Sequence, residues 1–168
     1  MPDVITNIHD EIETLLATIT TGNGDNFTFQ ATSINPKDGD FAEAILTTYA
    51  AIFPLVQIKY GPEDVVKPDM NQLAANGQSY TNDIKFRIIV FLGASSTNTV
   101  DVEINKAISD LKKLFFNNDC LNGDAFIVLY TGHQRDTAFA DAEGCAGRLL
   151  FDITVRYNQD ITNPEVLV

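Results

Sequence analysis

Two stretches of the chain alternate apolar and polar side chains, and this alternation constrains the fold more than any other feature. They are "DIKFRIIVFLG" (83–93) and "GRLLFDITVRYNQD" (147–160). A period of two residues places successive side chains on opposite faces of a β-strand. The chain is therefore predicted to contain a sheet with one apolar face. The predicted inward residues are Ile84, Phe86, Ile88, Val90 and Leu92 in the first stretch, and Leu149, Phe151, Ile153, Val155 and Tyr157 in the second.

The outward positions of the first stretch change character along its length. Lys85 and Arg87 are charged, whereas Ile89 and Phe91 are apolar. One end of this strand is therefore expected to be half exposed and the other end to be covered on both sides.

Helical periodicity marks two further segments, residues 3–19 and "VDVEINKAISDLKKLF" (100–115). Shorter patterns predict strands at 27–34, 55–61 and 125–132, a helix at 41–52 and a long loop at 61–82. The late strands follow each other too closely for a crossover helix, so antiparallel pairing is expected. The prediction is an α+β fold over residues 1–168, a single domain with a mostly antiparallel β-sheet and helices packed on one face.

Charge and cysteine content exclude several classes of protein. The net charge is −12 and the eleven basic residues are scattered, which argues against tight binding to nucleic acid. The two cysteines, Cys120 and Cys145, form no CxxC motif and are expected to be small packing residues in a reducing compartment. No apolar run reaches the ~20 residues that a membrane span needs, and "MPDVITNIHDEIE" has no basic leader, so synthesis in the cytoplasm is expected.

No motif in the sequence predicts catalysis, a cofactor or a metal site. His9 and His133 are interpreted as solvated side chains, on a helix and in a turn respectively. The acid-rich stretches 23–26, 37–40 and 117–124 lack the alternating oxygen ligands of a calcium loop. "FLGASSTNTV" (91–100) has one glycine and no lysine, so it is no P-loop, and GxSxG is absent. Cys145 has small neighbours but no placed base. The prediction is that the chain is not an enzyme.

The order of elements resembles that of the tail terminator and tail-completion (neck) proteins of long-tailed bacteriophages. An amphipathic first helix is followed by "FPLVQIKYG" (53–61), a long loop, "IKFRIIVFLG" (84–93), a helix, and a closing strand that ends "GRLLFDITVRYNQDITNP" (147–164). The resemblance covers residues 1–19 and 52–164, so that residues 20–51 form an inserted strand and helix.

The resemblance implies a structural protein of the virion, made in the host cytoplasm. Its partners would be copies of itself in a hexameric ring, the tail tube and sheath, and the neck or connector proteins. The ring would cap the tail tube and leave a channel through which DNA passes without sequence-specific binding. The acidic balance fits such a channel, because a negative lumen repels the phosphate backbone.

Two alternatives remain open. One is a head–tail connector or stopper protein of the neck, and the other is a small cytoplasmic module that binds a ligand or peptide with the 61–82 loop. For the ring, residues 158–168 are expected to form an extended arm that reaches a neighbouring subunit. The candidate subunit-interface residues are Lys85, Arg87, Arg148, Asp152, Arg156, Tyr157, Asn158, Asp160 and Pro164.

Overall fold

The structure, a computed structural model, describes residues 4–30, 34, 54–65, 79–93, 97–121, 127–136, 140–141 and 144–160. These residues form helices α1 (Val4–Leu16) and α2 (Val100–Asn117), a short 3-10 turn (Thr21–Asn23), and strands β1 (Leu55–Val65), β2 (Ser79–Gly93), β3 (Ile127–Asp136), β4 (Ala140–Asp141) and β5 (Gly144–Asp160).

The main sheet has the strand order β1-β2-β5-β3, and every neighbouring pair is antiparallel. The two-residue strand β4 pairs with the first residues of β5. The predicted α+β class with a mostly antiparallel sheet is therefore confirmed. The packing of the helices on one face stays a prediction.

The register of the two central strands brings the predicted inward residues onto one face. Phe86 lies opposite Ile153, and Ile88 lies opposite Phe151. All ten predicted inward residues are 1 % exposed or less, which confirms that the apolar positions of the alternating pattern form the core face of these two strands. Burying each of these large side chains stabilises the fold by about 1.5–3 kcal/mol relative to exposure.

Helix α2 packs on β5 through two specific contacts. The rings of Phe115 and Phe151 are stacked with centroids 6.1 Å apart. Near the other end of the helix, Gly147 lies so close to Val100 that an added Cβ would come within 2.2 Å of the valine Cγ1. Helix α1 buries Ile8 and Ile12 completely in the same core. Both predicted helices are therefore confirmed.

The predicted loop at 61–82 is wrong at both ends, because β1 continues to Val65 and β2 begins at Ser79. A β-bulge between Tyr60 and Glu63 accommodates the glycine and proline that suggested a loop. Proline is tolerated here because β1 is an edge strand of the main sheet. Residues 66–78 lie outside the described part of the chain.

The predicted strand at 27–34 is also wrong, since residues 27–30 are not in a strand and Ile34 makes one isolated parallel bridge with Val56. Phe29 is buried, and its main-chain N–H donates to the carbonyl of Ile19 at 3.0 Å. The alternation of phenylalanine and polar residues thus reflects packing of an irregular segment. The helix predicted at 41–52 lies outside the described residues.

The strands near the C-terminus are longer than predicted. A bulge between Tyr130 and Gly132 lets β3 continue to Asp136, so His133 lies in a strand and the prediction of a turn is wrong. Strand β5 runs to Asp160, so residues 158–160 of the predicted arm pair with β2. Residues 161–168 lie outside the described residues.

Candidate functional site

Among the described residues, the most distinctive surface lies on the face of the sheet that points away from the core. We call its exposed part the open half-face. It draws residues from four strands, and Thr131 reaches it from the bulge of β3. The open half-face consists of Lys59, Asp64, Asp83, Lys85, Arg87, Leu129, Thr131, Asp152 and Arg156.

Two bidentate ion pairs link β2 and β5 across the open half-face. Arg87 lies directly opposite Asp152, with Nε–Oδ1 at 2.7 Å and Nη2–Oδ2 at 2.9 Å. Asp83 lies opposite Arg156, and both of their contacts are 2.8 Å. The carboxylates stabilise the charged guanidinium groups and raise the pKa of both arginines further above its usual value. The pairs hold the arginine side chains in a fixed arrangement.

A cleft of about 530 Å³ opens between the four strands of this surface. Its lining includes Lys59, Lys85 and Arg87, together with Thr131. Neither lysine has an ion-pair partner among the residues that the structure describes. Lys59 also lies directly opposite Arg87, and like charges in this position destabilise a sheet. Asp152, which pairs with Arg87, also lines the cleft, so the lining carries an excess of two positive charges.

The other end of the outward face is closed. Leu55 is 1 % exposed and Ile89 is 7 % exposed, although both point away from the inward row. Arg148 and Asp136 form an ion pair of 2.7 Å at this end. The prediction that one end of β2 is half exposed and the other end covered on both sides is confirmed.

The candidate interface residues divide into four groups. Lys85, Arg87, Asp152 and Arg156 lie together on the open half-face, and Arg148 lies at the closed end. Tyr157 points inward and is 1 % exposed, so its side chain is a core residue and is not available to a second subunit.

The last three candidates come from the predicted arm. The side chain of Asn158 accepts a hydrogen bond of 2.8 Å from the hydroxyl of Thr81. The main chain of Asp160 pairs with Ser79, and Pro164 lies outside the described residues. Sequence reasoning missed five residues of the cleft, namely Lys59, Tyr60, Gly61, Phe86 and Thr131. The alternation of β1 could have indicated that Lys59 points outward. Thr131 reaches the cleft only because of the bulge in β3, which the sequence does not predict.

A second polar cluster fastens the segment after α1 to helix α2. The carboxylate of Asp110, 3 % exposed, accepts hydrogen bonds from the main-chain N–H groups of Asn26 and Phe27 and from the Asn26 side chain. Lys113 forms a 2.6 Å ion pair with Asp25, and this hydrogen bond lowers the pKa of the aspartate. Every one of these contacts is within the chain, so the cluster is structural.

Histidine 133 takes part in a small aromatic cluster on β3. Its Nδ1 is hydrogen-bonded to the hydroxyl of Tyr130, and Lys112 lies 4.8 Å above the tyrosine ring. Burial lowers the pKa of His133, and the positive charges of Lys112 and Arg135 lower it further. The interpretation of His133 as a solvated side chain is therefore wrong, since it is half-buried and hydrogen-bonded.

Two remaining features concern metal binding and thiol chemistry. The possible ligand atoms of His9, Asp10 and Glu13 lie within 4.8 Å of one another on α1. Cys120 is exposed, so its prediction as a packing residue is wrong. Its thiol donates to Asp119 at 3.4 Å, and this contact raises the pKa of the thiol. A raised thiol pKa disfavours the reactive thiolate.

Comparison with known proteins identifies no relative: no protein-family model matches the chain, and no curated protein matches it. Within the described residues, neither helix combines the length and the apolar character that crossing a membrane requires.

Proposed function

We propose that this chain is a structural protein that works by associating with copies of itself, and that its specific role is the tail terminator of a long-tailed bacteriophage. In this role it forms a hexameric ring that caps the tail tube, contacts the tube, the sheath and the neck proteins, and leaves a channel for DNA. Its place is the virion, after synthesis in the host cytoplasm, and it makes or breaks no covalent bond.

The observation that supports self-association is the open half-face. A sheet normally covers its exposed face with charges of both signs, as the Arg87–Asp152 pair does here. The neighbouring Lys59 and Lys85 instead leave positive charge concentrated in a concave surface of an acidic protein. Leu129, which is 40 % exposed, adds apolar area on the same face. An excess of positive charge and apolar area together favour binding of a partner.

The phage role rests on the order of elements and on the charge of the chain. The observed order, an amphipathic helix, a β-hairpin, a helix and closing antiparallel strands, agrees with the elements that carry the resemblance. The net charge of −12 supports a ring around DNA, because a negative lumen does not retain the phosphate backbone.

Electron microscopy of phage particles that carry an epitope-tagged copy of this chain tests the proposal. The tag is expected in a sixfold ring at the head-proximal end of the tail. Density beside the portal would instead identify a head–tail connector or stopper of the neck. Particles that contain none of the tagged chain would refute both virion roles.

A small-molecule or peptide-binding module is the second candidate, and the cleft favours it. About 530 Å³ is within the range of small-ligand sites, and the lysines would select anionic ligands. Calorimetry with small dicarboxylates and acidic peptides tests this role on the wild-type chain and on a Lys59→Ala variant. Binding that Lys59→Ala abolishes supports the module, and no heat of binding to any of these probes argues against it.

A further inference from the structure

The open half-face has the opposite charge to the rest of the chain. It carries four basic residues and three acidic ones, an excess of one positive charge. Since the whole chain has a net charge of −12, the remainder carries an excess of 13 negative charges. A surface of opposite charge to the open half-face is therefore present on every other copy of the same chain.

Helix α1 provides the most concentrated negative charge among the described elements. Its sequence contains Asp10, Glu11 and Glu13 and no lysine or arginine. The side chain of Asp10 is 66 % exposed. Helix α2, by contrast, has its acids mixed with Lys106, Lys112 and Lys113. This leaves α1 as the described element that best matches the basic surface.

The acidic and basic surfaces lie on different parts of one chain. Helix α1 buries Ile8 and Ile12 in the core that the inward row of the sheet lines, and its most exposed acid, Asp10, lies on the helix surface away from those two residues. The open half-face is on the outward side of the same sheet. Because the two surfaces are distinct, contact between them is head-to-tail and repeats in one direction, which generates a ring when the rotation closes.

We infer that the acidic surface of α1 in one copy docks on the open half-face of the next copy, where Asp10 and Glu13 pair with Lys59 and Lys85. This inference rests on the proposed self-association and names the surfaces that produce it. Residues three apart on a helix have Cβ atoms about 5–6 Å apart. Lys59 and Lys85 are diagonal neighbours on paired strands, and such Cβ atoms are separated by about 7–8 Å or slightly less. Two carboxylates one turn apart therefore match two ammonium groups.

Charge reversal on each surface, followed by mixing, tests the inference. The first variant carries Lys59→Glu and Lys85→Glu, and the second carries Asp10→Lys and Glu13→Lys. Asp101→Lys is the matched control, because Asp101 is an exposed helical acid on α2. Sedimentation velocity at about 0.15 M salt measures association, and circular dichroism verifies that each variant is folded. Each double reversal is expected to weaken association at least about tenfold.

The mixture of the two variants gives the specific result. The glutamates of the first variant then face the lysines of the second, so association is expected to return to within about threefold of wild type, whereas Asp101→Lys associates normally. A carbodiimide cross-link joins touching amines and carboxylates directly. Mass spectrometry of a mixture of ¹⁴N- and ¹⁵N-labelled wild-type protein is expected to identify intermolecular links from Lys59 or Lys85 to residues 10–13.

The remaining outcomes separate failure of this inference from failure of the proposed function. If both double-reversal variants still associate and the cross-links join other residues, the contact through α1 is overturned, whereas the proposal of a ring is not. If both reversals abolish association and mixing restores nothing, the two surfaces do not meet each other, which also overturns the inference. A wild-type chain that neither sediments as an oligomer nor forms intermolecular cross-links at about 1 mM, a concentration at which even millimolar affinity is visible, refutes self-association itself.

Discussion

Replacing Asp110 by alanine is expected to destabilise the chain strongly, because this buried carboxylate holds the segment after α1 against helix α2. It contacts three donors: the main-chain N–H of Asn26 at 2.9 Å, the Asn26 side-chain amide at 2.7 Å and the main-chain N–H of Phe27 at 3.1 Å. A hydrogen bond to a charged group contributes about 1.5–3 kcal/mol.

The three bonds are not additive, because Asn26 is exposed and water can reach its donors once the carboxylate is removed. We therefore expect a total loss of about 3 kcal/mol in the free energy of unfolding, equal to a fall of about 6–12 °C in Tm for a domain of this size. Urea unfolding followed by circular dichroism measures the loss. Asp110→Asn keeps one acceptor oxygen and should be intermediate.

Ser109→Ala is the matched control, since Ser109 is the exposed neighbour on the same helix. It should change the free energy of unfolding by less than about 0.5 kcal/mol. Hydrogen exchange adds a local readout, because the amide of Phe27 should lose protection in Asp110→Ala. If Asp110→Ala unfolds within about 0.5 kcal/mol of wild type, the cluster does not hold the segment after α1 and the reasoning is refuted.

Three further predictions follow from packing and titration. Gly147→Ala should lower the free energy of unfolding by about 1–3 kcal/mol, because the added Cβ would clash with Val100. Adding Val100→Ala should recover part of this loss when both variants are measured by urea unfolding. If the losses of the two substitutions simply add, the clash is contradicted. Cys120 should react with iodoacetamide more slowly in the native chain than after unfolding, because Asp119 raises the pKa of the thiol. The substitution Asp119→Asn should therefore accelerate the reaction of the native chain. An unchanged rate would argue against this contact. The pKa of His133 in the folded chain lies below the unfolded value of about 6.5, so the folded chain binds fewer protons than the unfolded chain. The contribution of neutral His133 to stability is therefore lost as the pH falls below about 6.5. An NMR titration midpoint at or above about 6.5 would be inconsistent with this prediction.

Local pattern predicted the regular part of the fold well. The ten inward residues of β2 and β5 follow from alternation alone, because consecutive residues of a strand point to opposite faces and the two faces differ in polarity. Helix α2 follows from its apolar spacing and from Asp101 and Glu103 in its first turn. The same local reading failed at Gly61 and Pro62, where a bulge in an edge strand tolerates residues that usually end a strand.

The candidate site could be predicted only in part. Alternation indicated that Lys85, Arg87, Asp152 and Arg156 point outward, and the structure agrees. It could not show that Arg87 faces Asp152, because the partner lies 65 residues away and depends on strand register. The contribution of Thr131 to the cleft depends on the bulge in β3, which no pattern in the neighbouring sequence predicts.

By itself, the sequence determined the composition of the core, the acidic charge of the chain and the two helices that the structure describes, because each is a property of neighbouring residues. Only the tertiary structure decided which charges neutralise one another and which remain, because an ion pair across a sheet requires two distant strands in one register. In the sequence, Lys59 had no assigned role and Lys85 was one of several outward charges on a predicted strand. They become a basic cleft only when β1, β2, β5 and β3 lie side by side.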